Sequence, residues 1–231
     1  MTLRETLQIP TGLTAIIGGG GKSTLLLRLG RELAAGHKTL LCTSTHMLAP
    51  TGVPLAGEPE QAARLLQSAP LVCFGAKGED GKLSQGAPME ALLSLAEYVL
   101  CEADGSKGLP LKAHAPHEPN VPRETKRLVY VAGLDGVGQT VAEAAHRPAR
   151  YAALLGVGKG HVVTPGDVAN AILAEGYGTA CAVLLLNKAE GQRLDWGRQA
   201  AMLWPGRAVI ASLQSAQAIK EVWEDGKIHE K

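Results

Sequence analysis

Aromatic residues are almost missing from this sequence. Phe, Trp and Tyr together make up 3% of its 231 residues, and there is a single Phe. Proteins that grip single-stranded nucleic acid stack bases on aromatic rings, and duplex binders carry a basic excess. The formal net charge here is +1, so nucleic acid is not expected as a partner. The core must be built from Leu, Val, Ile and Ala, within a hydrophobic fraction of 45% that suits a chain with a real interior. No apolar run reaches the roughly 18 residues that cross a bilayer, and the opening MTLRETLQIPTG lacks a signal-peptide stretch. Membrane association is therefore not expected. Cysteine is scarce too. Cys42, Cys73, Cys101 and Cys181 form no CxxC pair and each lies in a short apolar run, which reads as buried thiols in a reducing cytoplasm.

What the chain does have is rhythm. Apolar runs at 13–18, 38–43, 70–75, 97–103, 127–134, 181–187 and 207–212 are continuous rather than alternating, as in strands buried on both faces. Helical patterns separate them, at 22–35, 58–68, 88–96, 139–155, 166–175, 191–203 and 214–224. Strands alternating with helices predict an α/β fold in three layers, a mostly parallel central sheet with helices on both faces. Thr164-Pro165-Gly166-Asp167 reads as a helix start with a capping box. The chain is expected to form one domain over 1–231. Two segments break the rhythm. Residues 105–126 carry four prolines and no period, and a loop of that length is usually functional. Residues 77–87 read as a hairpin tip or a mobile loop.

The first motif is Ile16-Ile17-Gly18-Gly19-Gly20-Gly21-Lys22-Ser23-Thr24. An apolar strand precedes it, and a helix follows with Leu25, Leu26, Leu29 and Leu33 on one face. In this arrangement backbone N–H groups and a helix N-terminus converge on an anion. Gly18, Gly19, Gly20 and Gly21 let the chain wrap closely. Lys22 would reach the β- and γ-phosphates, and the Ser23 hydroxyl, followed by Thr24, would ligate Mg²⁺. The usual phosphate-loop pattern wants glycine at position 16. The ending is nevertheless similar to that of a deviant P-loop class, which includes nickel-insertion GTPases and dethiobiotin synthetase-like enzymes.

Further candidates lie at strand ends, where parallel sheets bind ligands. Glu102 and Asp104 are two residues apart, on one strand face, and are expected as catalytic acids, Asp104 with Ser23 as the Mg²⁺ ligand. Thr45, ahead of Thr43, is a candidate switch hydroxyl. Asn187-Lys188-Ala189-Glu190 is similar to the N-K-x-D base-recognition motif of GTPases, with Glu in the last place. The nucleotide is GTP or ATP. In the long loop, Lys112 is a candidate for stabilising transition-state charge. His114, His117 and Glu118 are candidates for a metal or selenium-species site, and the loop could equally dock a partner. Arg147 and Arg150, with His146, read as exposed arginines on a helix or as the wall of a second-substrate pocket.

Taken in order, GGGGKST, TSTH, EADGSKGLPLKAHAPHEPNVP and NKAE resemble the YqeC-type selenium-dependent hydroxylase accessory proteins. The most specific stretches are Glu102 to Ala113 and His117 to Pro122. The resemblance implies a cytoplasmic P-loop NTPase using Mg²⁺ with GTP or ATP. Its implied partner is a molybdenum hydroxylase carrying selenium, or the machinery that matures it. Read from the residues alone, a small-molecule kinase or ligase and a nucleotide-switched docking module stay open beside an NTP hydrolase.

Overall fold

The structure is a computed structural model that describes residues 1–178 and 182–230; Cys181, expected to be a buried thiol, lies outside the described residues. A short helix α1 (Leu3–Thr6) leads to β1 (Gly12–Gly18), α2 (Lys22–Leu33) and β2 (Thr39–Thr43). Next come β3 (Met47–Leu48), β4 (Leu55–Ala56), α3 (Pro59–Leu65) and β5 (Leu71–Phe74). A small hairpin of β6 (Ala76–Lys77) and β7 (Lys82–Ser84) precedes α4 (Met89–Leu93) and β8 (Tyr98–Glu102). Then β9 (Leu111–Lys112), β10 (Thr125–Gly133), α5 (Val141–Ala144), β11 (Ala145–His146), α6 (Pro148–Leu155) and α7 (Pro165–Ala174) follow. The chain closes with β12 (Ala182–Asn187), α8 (Arg193–Ala201), β13 (Arg207–Ala211), β14 (Ile219–Glu224) and β15 (Lys227–Glu230).

Ten of these strands form the main sheet, in the order β15-β14-β13-β12-β10-β1-β8-β2-β5-β4. From β13 to β4 every pairing is parallel, and β14 and β15 add an antiparallel edge. Side chains alternate across the sheet, and both faces are covered. Ala15, Ile17, Leu184 and Leu186 pack with α6, α7 and α8, whereas Ile16, Val183 and Leu185 pack with α1 and α2. A third cluster, including Leu40, Phe74 and Val99, packs against α3 and α4. This is the three-layer α/β architecture expected from the continuous apolar runs, a fold of the P-loop NTPase kind. Leu25, Leu26, Leu29 and Leu33 of α2 are all buried, each worth about 1.5–3 kcal/mol relative to exposure. The capping box at Thr164 and Asp167 forms as read. Cys42, Cys73 and Cys101 are buried free thiols. Among the described residues no helix is long and apolar enough to cross a membrane.

The C-terminal ends of the central strands meet on one edge. Ile16 of β1 and Thr43 of β2 both pair with Glu102 of β8, Gly18 pairs with Val131 of β10, and Gly133 pairs with Asn187 of β12. The glycine-rich, TSTH, EADGS and NKAE motifs each lie at one of these ends.

Three expectations are corrected. Residues 214–224 are not a helix: Ile219–Glu224 is β14, an edge strand. Ile219 and Val222 mimic helical spacing, but Asp225-Gly226 takes positive φ at both residues (49° and 72°), the conformation of a tight hairpin turn. Residues 139–155 split into two helices, because Pro148 starts α6 and Arg147 before it adopts left-handed φ 66°. The proline-rich loop also contains regular structure, since β9 pairs in parallel with β11. The 77–87 excursion is a hairpin, joined to β3 in a three-stranded antiparallel sheet.

Candidate functional site

Gly18 to Gly21 turn sharply from β1 into α2. Gly20 (φ 74°) lies so close to the backbone of Gly133, and Gly21 (φ 131°) so close to the Asn187 amide, that a Cβ at either would collide. The loop is thus built for close approach, yet part of it already has partners. The Gly18 N–H donates to Asp104 Oδ2 (2.9 Å), Gly19 N–H to Val131 O (2.9 Å) and Gly20 N–H to Leu109 O (3.0 Å). The expectation that loop N–H groups and the helix N-terminus converge on an anion is therefore narrowed. What is open is the start of α2, whose N-cap Gly21 supplies no side-chain cap. First-turn N–H groups have no intrahelical partner and carry the positive end of the helix dipole.

Lys22 is buried and bent back over the loop. Its Nζ donates to Gly18 O (2.7 Å) and Ser106 Oγ (3.2 Å), and lies 3.2 Å from Asp104 Oδ1 and 4.0 Å from Glu102 Oε1. Ser23 is exposed, and its hydroxyl donates to Glu102 Oε2 (3.0 Å). The two acids therefore divide. Glu102 meets the serine, and burial raises its pKa against the pull of Lys22 and the Ser23 bond. Asp104 is fully enclosed. Burial pushes its carboxyl up, but the His114 hydrogen bond and the Lys22 and Lys112 ammoniums outweigh that and hold it at about 2.

Behind Asp104 lies a network from the long loop. Lys112 Nζ donates to Gly105 O (2.6 Å) and sits 3.2 Å from Asp104 and 3.1 Å from Glu118. Arg147 forks onto Glu118 at 2.8 and 3.2 Å, so it is a half-buried, paired residue before α6 rather than the exposed helix arginine expected. Burial raises the Glu118 pKa, but Arg147 and Lys112 overcome this and bring it to about 2. His114 Nε2 is 2.7 Å from Asp104 and Nδ1 is 2.8 Å from Glu175. Both ring nitrogens face carboxylates, an arrangement that favours the doubly protonated ring. Burial lowers its pKa, and the two carboxylates raise it by more. His117 is exposed and apart from this network. Among the described residues no group of three or more His, Cys, Asp or Glu is arranged to hold a metal.

The other expected residues fall in three places. Thr43 is buried, its Oγ1 donating to Glu102 O (2.8 Å), and Thr45 stands half-buried beside it. Asn187 Nδ2 donates to Gly20 O (2.8 Å) and its Oδ1 accepts from Leu213 N (3.0 Å), tying the glycine loop to the turn after β13. Lys188 pairs with Asp135 at 2.6 Å, while Glu190 accepts from the Ser212 hydroxyl and faces Arg193. A cavity of about 660 Å³ opens beside the first turns of α2. Ser23, Thr24, Arg28, Met47, Glu102 and Leu213 are among its lining, whereas Lys22, Asp104, Lys112, Asn187, Lys188 and Glu190 are not. Sequence reasoning missed Ser106, Glu175, Arg28 and Leu213. Nothing in their local spacing marks them, because each acts on a partner distant in the chain.

A model of the family described as YqeC protein matches residues 14–149, from β1 to the start of α6. This chain belongs to the YqeC family. It is 35% identical over 155 residues to the uncharacterized protein YqeC of Escherichia coli strain K12. That match covers 62% of this chain and 60% of the relative, so the chain spans less than two thirds of the curated YqeC protein it matches. No solved structure matches. The YqeC-matched region holds Lys22, Ser23, Glu102, Asp104 and Lys112, and ends before Asn187 and Leu213.

Proposed function

We propose that this chain binds a nucleoside triphosphate, GTP or ATP, with Mg²⁺ at the start of α2. In this reading it hydrolyses the nucleotide as an accessory to maturation of a selenium-dependent molybdenum hydroxylase. The observation that carries the nucleotide reading is the uncapped N-terminus of α2, opening beside a 660 Å³ cavity with Ser23 and Glu102 at one end. That volume lies within the range of about 300–1,000 Å³ typical of small-molecule sites.

The donor set fits a hard cation: a serine hydroxyl and a carboxylate oxygen, 3.0 Å apart at the cavity wall. Ser23 and Glu102 would hold Mg²⁺, which, when bound, would neutralise phosphate charge. Asp104, nominated for this from the sequence, instead serves Lys22. Lys22 would exchange Asp104 for phosphate oxygens. Glycine, serine and lysine follow Asp104, with no glutamine to position water, which favours slow intrinsic turnover. The hydroxylase connection is supported by YqeC membership and by the motifs resembling that family.

Thermal-shift titration with GTP, ATP, GDP and ADP, with and without Mg²⁺, tests the binding. Stabilisation by a nucleotide, lost in Lys22→Ala, is expected; no shift with any of the four removes the reading. Hydroxylase activity and selenium content in cells lacking the protein test the accessory role, and normal values in both would remove it. A second reading, a nucleotide-switched docking module, is favoured by the ion chain running from Lys22 to Arg147 near the surface. Nucleotide-dependent partner binding without turnover would select it.

A further inference from the structure

The lining of the cavity beside α2 is of two kinds. The Ser23 hydroxyl and the Glu102 carboxylate, at the end of β8, suit phosphate and cation. Leu213 and Gln214 lie in the turn after β13, across β1, β10 and β12 from β8, and apolar Leu27 and Met47 also face the cavity. A flat base with a polar edge has that character: an apolar body to sandwich and amide groups to read.

The turn is fixed from two directions. Arg28 of α2 donates through Nη1 to Leu213 O (2.5 Å) and Ser215 O (2.7 Å), and through Nη2 to Ala216 O (3.0 Å). From beneath, Asn187 holds Leu213 N while its other amide atom holds Gly20 O. Among the described residues Arg28 has no carboxylate partner, so its fork is committed to three carbonyls of one turn. The same helix that begins at Ser23 therefore also fixes the turn that carries Leu213 and Gln214. The residues that the sequence nominates for the base are engaged elsewhere. Lys188 is on Asp135, Glu190 is on Ser212 and Arg193, and neither lines the cavity.

We infer that the 212–217 turn reads the nucleoside end of the ligand and that Arg28 is the positioning residue that holds it there. The inference rests on the nucleotide reading above. It moves recognition from the end of β12 to the end of β13, with Asn187 as a tether rather than a base contact. Gln214, exposed on the cavity wall, offers the side-chain amide, and the turn offers main-chain groups.

The test compares ligands that share a phosphate end but differ at the other. Isothermal titration with Mg²⁺ would measure inorganic tripolyphosphate, ATP and GTP on wild-type protein, Arg28→Ala, Arg28→Lys and Lys188→Ala. Wild type should bind all three. Arg28→Ala should weaken a nucleotide about tenfold or more while tripolyphosphate stays within about twofold, since only the nucleoside wall is released. Arg28→Lys keeps the charge but loses the fork, and should show the same pattern more mildly. Lys188→Ala should leave all three affinities alone. Retained tripolyphosphate binding also shows that a variant has folded. The inference is overturned if Arg28→Ala weakens tripolyphosphate as much as nucleotides, or weakens neither. It is equally overturned if Lys188→Ala costs the nucleotides as much as Arg28→Ala does. Wild-type protein that binds tripolyphosphate but no nucleotide sinks it too. Wild-type protein that binds none of the three overturns the nucleotide reading itself, and the inference with it.

Discussion

The glycine loop is gripped from its two sides by unlike means. On the β8 side the grip is ionic and buried: Asp104 takes the Gly18 amide, Lys22, Lys112 and His114, and the pairing continues to Glu118, Glu175 and Arg147. On the β12 side it is largely neutral: the Asn187 amide spans Gly20 and Leu213, and Arg28 meets only carbonyls. A buried ionic cluster depends on every member being matched, because an uncompensated charge in a low dielectric is very costly. An amide tether fixes position without that sensitivity. In the proposed reading the ionic side would register the arrival of an anion at Lys22, and the neutral side would keep the cavity wall in place.

The largest expected effect comes from removing the cation that the ionic side shares with the proposed phosphate site. Lys22→Ala should weaken ATP and GTP binding by about a hundredfold or more, because a charge-assisted contact to phosphate is lost. Asp104 would keep Lys112 and His114, so the fold should survive. Titration calorimetry checks this, and wild-type affinity in the variant would exclude Lys22 from the phosphate site.

The two sides should then differ in stability. Lys112→Ala takes a buried ammonium from Asp104, which keeps Lys22 and His114, and from Glu118, which keeps Arg147, and should cost about 3 kcal/mol, the low end for a broken buried pair. Asn187→Ala removes hydrogen bonds but no charge, and should cost about 1–3 kcal/mol. Urea denaturation of both variants measures the gap. Equal costs would mean that the ionic side is no more committed than the neutral one. The sequence nominated Lys112 for transition-state charge. Its enclosure between two carboxylates makes loss of stability the first consequence of deleting it.

A third contrast is in pH. Asp104 and Glu118 are held at about 2 when folded, below their ordinary values of 3.8 and 4.5. Their contribution is present above those ordinary values and is lost as pH falls toward 2. His114 is shifted the other way, above 6.5, so its contribution is present below 6.5 and lost as pH rises through the folded value. The ionic side is strongest between these limits. Asn187→Ala should lower the stability curve evenly across pH, while His114→Asn should flatten its high-pH limb. Parallel curves for wild type and His114→Asn would show that the imidazolium is not the group responsible.

How much of this could be read in advance follows from the same division. Continuous apolar runs report strands buried on both faces, so the parallel sheet and the edge that carries the candidate site were legible. Gly20, Gly21, Lys22, Ser23 and Glu102 were legible because a turn, a helix start and a strand end are local features. The apportioning of Glu102 and Asp104 was not. Which acid meets Ser23 and which meets Lys22 depends on His114, Lys112 and Glu175, brought in by a loop and by α7. The Arg28 clamp was hidden for a similar reason, since its carbonyl partners lie about 185 residues further along the chain. The misjudged C-terminal helix is a different case: Asp225-Gly226 announced a hairpin, and the helical spacing of Ile219 and Val222 masked it.

The smallest effect should come from the residue the sequence made most of. Glu190 stands where a GTPase-like motif carries Asp, so Glu190→Asp could be expected to sharpen guanine preference. The side chain is exposed, accepts from the Ser212 hydroxyl and faces Arg193 across 3.7 Å. It lies outside the cavity lining, and exposed ion pairs contribute little. The GTP/ATP affinity ratio of Glu190→Asp should therefore stay within about fivefold of wild type, since loss of such a pair is worth under about 1 kcal/mol. A clear gain in guanine preference, measured by competition titration, would return base recognition to the end of β12. It would leave the 212–217 turn as scaffolding for Glu190 and no more.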